Sequence, residues 1–412
     1  MTAGKETRAV NVFVLNCGSS SVKYKLFDMG AGQPEPVLAE GRIERIGTEQ
    51  AIVVHKSRGR EHRSVRPVFE HRDAIGLVLN MMAADGEGAG EEHRVDAIGH
   101  RVVHGGELYR DAVLVTDEVK QSLIELSELA PLHNPHNIAG IDACAELLPG
   151  VPQVAVFDTA LHADMPKHAY LYGIPYELYE RLHIRRYGFH GISHKYVAGR
   201  VAALMERPLE SLRIISCHLG NGASVTAVKN GRSVDTSMGF TPLEGLMMGT
   251  RSGDIDAGAV IYLLAHEGMS VTELNAMLNR ESGLRGISGV GSDMRDVEQA
   301  VLEGHEMARL AFDMYEYRVR KYIGAYAAAM NGVDAIAFTA GIGEHSPMLR
   351  AQICRNLTYL GVELDPERNQ VSGREAEISA PGSRVRVFVI PTDEERVIAR
   401  DTVAVLRQRA AS

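Results

Sequence analysis

Two arginines lie among glycines, a setting in which a charge is rarely just solvated. Arg101 leaves an apolar stretch and runs into Gly105-Gly106, and Arg251 lies within Gly249-Thr250-Arg251-Ser252-Gly253-Asp254. A planar guanidinium fork matches carboxylate and phosphoryl oxygens. The plain alternative for Arg251 is a structural ion pair with Asp254 or Asp256. Three Gly-rich turns, at 16–21, 220–222 and 341–343, each follow an apolar stretch. With no Cβ in the way, backbone N–H groups in such turns can approach phosphate oxygens. One such turn is an ordinary tight turn; three spread over both halves of the chain point to a nucleotide. No GxxxxGK[ST] sequence occurs, so a Walker phosphate loop is excluded. Lys23, beyond the first turn, can reach a phosphate or else is a solvated strand residue. His100/His104 and His190/His194 are spaced like zinc ligands on a helix. Glycines at 99, 105, 106 and 191 break that spacing, and neither pair carries the Glu of HExxH, so no zinc site is expected.

These residues need elements to position them. Apolar patterning predicts strands at 10–16 and 22–28 around the first turn, then at 37–46 and 51–56. A helix over 73–84, a strand at 95–103, and a helix opened by Thr116-Asp117-Glu118 with Val119, Leu123, Leu126 and Leu129 on one face follow. A helix at 136–148 stops at Pro149-Gly150, and 151–157 is a buried strand. Strands first and alternating helices and strands afterwards describe a mixed α/β domain. The opening recurs about 200 residues on: strand 212–218, turn 220–223, strand 224–229 and a hairpin at Asn230-Gly231. Gly18-Ser19-Ser20-Ser21-Val22 matches Asn221-Gly222-Ala223-Ser224-Val225 in position and character, which implies duplication and two similar domains forming a cleft. Near the end, Ser346 is an N-cap with Pro347 at the first helical position and Gly361 closing that helix. A strand at 385–390 and a capping box, Thr392-Asp393-Glu394-Glu395, lead into a last helix to Gln408. A Gly-rich surface loop is read at 85–90.

The bulk numbers agree. A chain of 412 residues exceeds one ordinary core, so two domains are expected. An apolar share of 45% and a charged share of 24% are those of a globular protein. A formal charge of −9 without any block of Lys/Arg argues against nucleic acid as a partner. The apolar stretch at 10–15 is too short for a signal-peptide core, and nothing approaches a membrane span. Cys17, Cys144, Cys217 and Cys354 are scattered with no CxxC pair, so the expected location is cytoplasmic.

Long ordered motifs then resemble one family. Asn16-Cys17-Gly18-Ser19-Ser20-Ser21-Val22-Lys23-Tyr24 resembles the N-terminal signature of acetate kinases. So do His100-Arg101-Val102-Val103-His104-Gly105-Gly106, Phe157-Asp158-Thr159-Ala160, Arg186-Tyr187-Gly188-Phe189-His190-Gly191, the run DTSMGFTPLEGLMMGTRSGDID at 235–256 and FTAGIGE at 338–344. The resemblance implies an α/β fold of two duplicated actin-like ATPase (ribonuclease H-like) domains with an interdomain nucleotide cleft. The expected boundaries are 1–158, with helix 393–412 returning to it, and 159–392. It implies Mg²⁺-dependent phosphoryl transfer from ATP to acetate, with Mn²⁺ as a substitute, in a homodimer. By the same resemblance Asn16 and Glu394 hold the metal, and Lys23 belongs to the ATP site. His218, Leu219, Gly220, Asn221, Gly222, Asp293, Met294, Arg295, Gly341, Ile342, Gly343, Glu344 and His345 line the nucleotide. Arg101 grips the substrate carboxylate with Asp158 nearby, and His190 and Arg251 stabilise the transferring phosphoryl group. Val103, Leu132, Phe189 and Pro242 surround the substrate methyl. His345 stands where the family carries Asn, and Leu161 where Phe is common. A propionate kinase is the nearest rival reading; a non-catalytic actin-like ATPase and a sugar kinase fit the two arginines and His190 less well.

Overall fold

The computed structural model describes residues 10–30, 35–86 and 94–411. The polar stretch 1–8, and residues 87–90 of the Gly-rich loop, lie outside the described residues. The described residues up to Ala160, with those from Asp393 onward, form one compact unit, and Leu161–Thr392 form a second.

In the first unit the apolar stretch NVFVLNC is strand β1 (Asn11–Cys17), buried on both faces, as a strand inside a covered sheet must be. Antiparallel to it and to one another run β2 (Ser21–Asp28), β3 (Val37–Glu44), β4 (Thr48–Ser57) and β5 (Arg60–Val68). On the other side of β1, β6 (Ala97–Val102) pairs in parallel. After the two-residue β7 (Val113–Leu114) comes β8 (Gln153–Phe157), parallel to β6. The sheet order is β5-β4-β3-β2-β1-β6-β8-β7. Helices His71–Gly86 and Asn134–Leu147 pack against each other, and the C-terminal helix Glu394–Ala411 packs on β1, β6 and β8. That last packing needs Gly99: a Cβ there would lie 2.6 Å from both Ile398 Cγ2 and Thr402 Oγ1. The start of this helix is thereby brought against the strands that carry Asn16 and Arg101.

The second unit repeats the scheme with β9 (Arg213–Leu219), β10 (Ala223–Lys229), β11 (Arg232–Thr236), β12 (Ala335–Thr339), β13 (Ala376–Glu377) and β14 (Arg386–Val389). Its order is β11-β10-β9-β12-β14-β13. The core β3-β2-β1-β6-β8 of the first sheet and β11-β10-β9-β12-β14 of the second share order and strand directions, which is the ribonuclease H-like pattern. The duplication read from the sequence is present, but its register is not the one written there. Cys17 pairs with Val22 around residues 18–21, whereas Leu219 pairs with Ala223 around 220–222. The second turn is one residue shorter, so the two turns do not superimpose residue for residue.

Other expectations are corrected in detail. Strand β5 went unread because its sequence, REHRSVRPV, is polar and mostly exposed, and hydrogen bonding to β4 alone defines it. The helix opened by Ser346 ends at Arg355; Gly361, at φ +88°, instead closes the single 3₁₀ turn Thr358–Leu360. Residues 341–343 are not a turn but part of the short helix Ala340–His345, entered through Ala340 at φ +62°. Thr392 does not cap the last helix. Its hydroxyl bonds Ser193 Oγ at 2.9 Å, Asp393 Oδ1 accepts from Arg396 N, and Glu395 pairs with Lys25.

Candidate active site

The first unit gathers its charge around the end of β6. Arg101 projects from that strand and donates Nε to Asp158 Oδ1 (3.0 Å) and Nη2 to Asp158 Oδ2 (2.5 Å), with Nη1 3.3 Å from Asn16 Oδ1. Asp158, just beyond β8, is 1% exposed, so its charge is tolerable only because this fork meets it. Burial would pull the Arg101 pKa down, but Asp158 and Glu394 outweigh it and push it up. The chain leaving β6 is pinned by side chains. Asn137 Oδ1 accepts from Val103 N while its Nδ2 donates to Cys17 O, Asn134 Oδ1 accepts from His104 N, and Thr159 Oγ1 accepts from Gly105 N. Val103 is therefore buried and fixed, whereas Leu132 is 58% exposed. Lys23 faces Asn16 across the β1–β2 ladder.

Glu394 opens the C-terminal helix in the same unit. Burial pushes its carboxyl up to about 7, Asp158 and Glu395 add to the rise, and Arg101 and Lys23 oppose it. Arg101 links the two oxygen donors: its Nη1 lies 3.3 Å from Asn16 Oδ1 and its charge acts on Glu394, and a carboxyl with an amide oxygen is a hard donor set that fits a divalent cation such as Mg²⁺. Among the described residues no group of three or more His, Cys, Asp or Glu could hold a metal alone. That suits a cation which takes only one or two protein ligands and completes its shell from water and phosphates.

In the second unit Arg251 has no carboxylate beside it. Among the described residues it bonds the Pro242 carbonyl (3.1 Å) and Met248 Sδ (3.8 Å), so the ion pair with Asp254 or Asp256 is not formed. Asp254 instead accepts from Gly245 N and Tyr322 Oη, and Asp256 caps helix Ala257–His266. Burial lowers the Arg251 pKa, with no carboxylate to raise it again. Its loop is anchored on the second glycine turn: Gly249 N donates to Asn221 O, and a Cβ at Gly249 would lie 2.2 Å from Asn221 Oδ1. His190 precedes helix Gly191–Met205 at φ +57°, bonds Ser224 Oγ through Nδ1 (2.9 Å) and stacks on His218 at 4.0 Å. A Cβ at Gly222 would sit 3.6 Å from both Arg251 Nη1 and His190 Nε2, so both nitrogens converge on that turn. His194, buried between the hydroxyls of Ser216 and Ser224, has its pKa pushed far down by burial and by His218 and His162. The His190/His194 spacing is thus a hydroxyl-bonded scaffold. His100 likewise bonds Gln153 Oε1. Ser224 joins both histidines and was missed in the sequence, where it reads as one more small strand residue.

A cavity of about 700 Å³ in the second unit is lined by eight of the expected nucleotide residues: Gly220, Asn221, Asp293, Met294, Arg295, Gly341, Ile342 and His345. Ser292 and Glu298 line it too and carry no sequence signal, and Ser346, marked in the sequence only as an N-cap, joins them. The other expected residues lie elsewhere: Leu219 and Gly343 are buried, His218 bonds Ser193, Gly222 sits beside Arg251, Glu344 accepts from Thr392 N, and Lys23 belongs to the first unit. Arg350 braces the cavity's floor. Fully buried, it donates to the carbonyls of Gly343, Glu344, Asn369 and Val371, and burial lowers its pKa to about 10. Phe189 is buried, and Pro242 contributes the carbonyl that holds Arg251.

A duplicated ribonuclease H-like fold with glycine turns and half-buried arginines defines a protein of the actin-like ATPase class. The chain belongs to the acetokinase family, whose sequence pattern it matches over residues 11–400. Acetate kinase 2 of Clostridium perfringens is 54% identical over 399 residues, 96% of this chain and 100% of that protein. The acetate kinase of Thermotoga maritima is 53% identical over 403 residues, 97% and 99% of the two chains. Among solved structures, acetate kinase of Porphyromonas gingivalis matches with a TM-score of 0.91 at 45% identity, covering 97% of this chain and 100% of that one. A propionate kinase from Francisella tularensis matches with a TM-score of 0.89 at 40% identity, covering 96% and 100%.

The position of Glu394 makes a prediction about stability. Folded, its carboxyl keeps a proton up to about 7, whereas the unfolded group titrates near 4.5. The folded state binds the extra proton between those values, so that share of stability is present at the acid end and lost as pH rises through about 7. Metal-free protein should therefore show a melting temperature that falls over this window, and Glu394→Gln should flatten the fall. A melting profile unchanged by the substitution would contradict the assignment.

Proposed function

We infer that this protein is an acetate kinase, transferring the γ-phosphoryl group of ATP to acetate to give acetyl phosphate and ADP. The observation that carries the reading is Arg251, a half-buried guanidinium without a carboxylate partner among the described residues, converging with His190 on a glycine turn. Arg350, a structural arginine without a carboxylate, has Nε, Nη1 and Nη2 all bonded to protein oxygens, whereas the bonds of Arg251 among the described residues run through Nη1, which suits an anion that arrives at its other N–H groups. The preference for acetate is supported by relatives named acetate kinase at 53–54% identity and by the buried Val103.

The acid substrate, with a pKa of roughly 4–5, is already ionised at neutral pH, so the nucleophile needs no base. It needs charge neutralisation and in-line placement. Asp158 takes Nε and one Nη2 hydrogen of Arg101 and Asn16 takes one Nη1 hydrogen, which leaves one further hydrogen on each of Nη1 and Nη2. That Nη1–Nη2 edge is a two-pronged seat for acetate, and Asp158 is a positioning residue that aims it. A carboxylate oxygen of acetate forms the new bond to the γ-phosphorus as the bond to the ADP oxygen breaks, and no proton moves. Arg251 and His190 meet the phosphoryl oxygens, and Lys23 contributes further positive charge. The nucleotide occupies the cavity over Gly220, Asn221 and Gly341. Asn16 and Glu394 would hold Mg²⁺, with Mn²⁺ as a substitute. When bound, the cation neutralises phosphate charge.

The protein is further inferred to be a cytoplasmic homodimer. Its four cysteines are free and buried, and among the described residues no helix is long and apolar enough to cross a membrane. Helix Ala257–His266, AGAVIYLLAH, buries none of its residues, and Ile261 and Tyr262 are 65% and 58% exposed. An apolar helix of this kind suits burial against a second copy. Tyr262→Asp should yield monomers by light scattering; a wild type that is monomeric at micromolar concentration would rule the dimer out.

Steady-state kinetics test the reaction. Efficiency should fall from acetate to propionate to butyrate, with Val103→Ala raising relative activity on propionate. Arg251→Ala should lower kcat by about 10³–10⁵ while changing the KM for ATP far less. A wild type preferring propionate would overturn the acetate assignment, and a fully active Arg251→Ala would overturn the site.

A further inference from the structure

The first turn of a helix has few internal hydrogen bonds and frays unless side chains hold it. The turn that carries Glu394 has two long bonds to Asp393, Arg396 N to Oδ1 at 3.3 Å and Val397 N to the carbonyl at 3.4 Å. What holds it is a set of charges around it. Lys25 Nζ, on β2, lies 3.1 Å from Asp393 Oδ1 and 3.3 Å from Glu395 Oε2, bridging the residues on either side of Glu394. Arg396 ties Asp393 Oδ2 (2.9 Å) to Glu35 Oε2 (2.7 Å), and Arg400 closes on Glu35 Oε1 (2.7 Å). Glu35 is 6% exposed, and its carboxyl is held down to about 2: burial acts the other way, and its bonds to Arg400 and Arg396 prevail.

This cluster balances in charge. Three cations, Lys25, Arg396 and Arg400, face three carboxylates, Glu35, Asp393 and Glu395. Glu394 takes no part, so the counter-charges acting on it are Arg101 and Lys23. Lys23 and Lys25 are two apart on β2 and share one side of the strand. Lys23 acts on Glu394 directly, while Lys25 grips its neighbours.

We propose that Lys25 is a positioning residue for metal binding, its bridge from Asp393 to Glu395 fixing the helix turn so that the Glu394 carboxylate stands ready beside Asn16. The proposal rests on the reading of Glu394 as a metal ligand. Charge and geometry give opposite signs here, which makes the test sharp. Removing a lysine near a cation site, and leaving two carboxylates less neutralised, strengthens cation binding by Coulomb's law alone. Loss of an orienting partner behind a ligand weakens it, typically by 10–100-fold.

The test is Mn²⁺ binding in the presence of ADP, followed by loss of the free-ion electron paramagnetic resonance signal, in the full-length wild type and variants. Lys25→Met should raise the Mn²⁺ dissociation constant about tenfold, Lys25→Arg should restore it, and Glu35→Gln should weaken binding in the same direction but less. In turnover, Lys25→Met should raise the KM for Mg²⁺, with most of the rate recovered at saturating metal and the KM for acetate unmoved. Unchanged or tighter Mn²⁺ binding in Lys25→Met, while Glu394→Gln abolishes it, would overturn the positioning role alone. Undiminished Mn²⁺ binding in Glu394→Gln would instead remove the metal reading on which the proposal stands.

Discussion

The bidentate pair between Arg101 and Asp158 is the interaction on which the first unit's chemistry depends. A carboxylate that is 1% exposed cannot stay charged without a partner, and a guanidinium beside it gains a fixed plane in return. Breaking such a pair by removing one member costs about 3–5 kcal/mol, because the other charge is stranded. Asn16 lies against the same guanidinium, and the Glu394 carboxyl, pushed up mainly by burial, is drawn down by Arg101 and raised further by Asp158. The pair thus orients a substrate-facing edge and sets the electrostatic conditions of the oxygen donors beside it.

The second unit solves the complementary problem. Here Arg251 is held by neutral groups, a carbonyl and a thioether, and His190 Nδ1 meets a serine hydroxyl. Carboxylates are present in this unit but are spent elsewhere. Glu244 takes Arg186 and Tyr172, and Asp254 takes Gly245 N and Tyr322. These bonds stiffen the loop around Arg251 without neutralising it. An unpaired guanidinium costs stability to bury, and it is one that an incoming phosphoryl group would relieve.

Much of this was legible in the sequence where a residue's local chemistry decides its place. Thr116 caps its helix through Val119 N as its spacing implied, Ser346 caps through Leu349 N, and Asn230-Gly231 turns the β10–β11 hairpin with both residues at positive φ. The repeat was visible because β1 and β9 are buried on both faces and must be continuously apolar. What escaped was settled by distant partners. Strand β5 exists only through its ladder with β4, and Thr392 lost its capping role to a bond with Ser193, 199 residues away. Ser224, Glu298 and Arg350 acquire their roles from three-dimensional neighbours that no local pattern encodes.

The role given to Asp158 separates two chemistries that a static site would otherwise share. As a base it would need a protonated acid substrate, and turnover would climb as acid becomes available. As the residue that aims Arg101 it needs only an ionised one. The dependence of kcat on pH in the wild type, with acetate, ATP and Mg²⁺ saturating, tests this most directly. The account predicts no rise as pH falls toward 5, with Asp158→Asn slow at every pH; a wild-type maximum near pH 5 would contradict it.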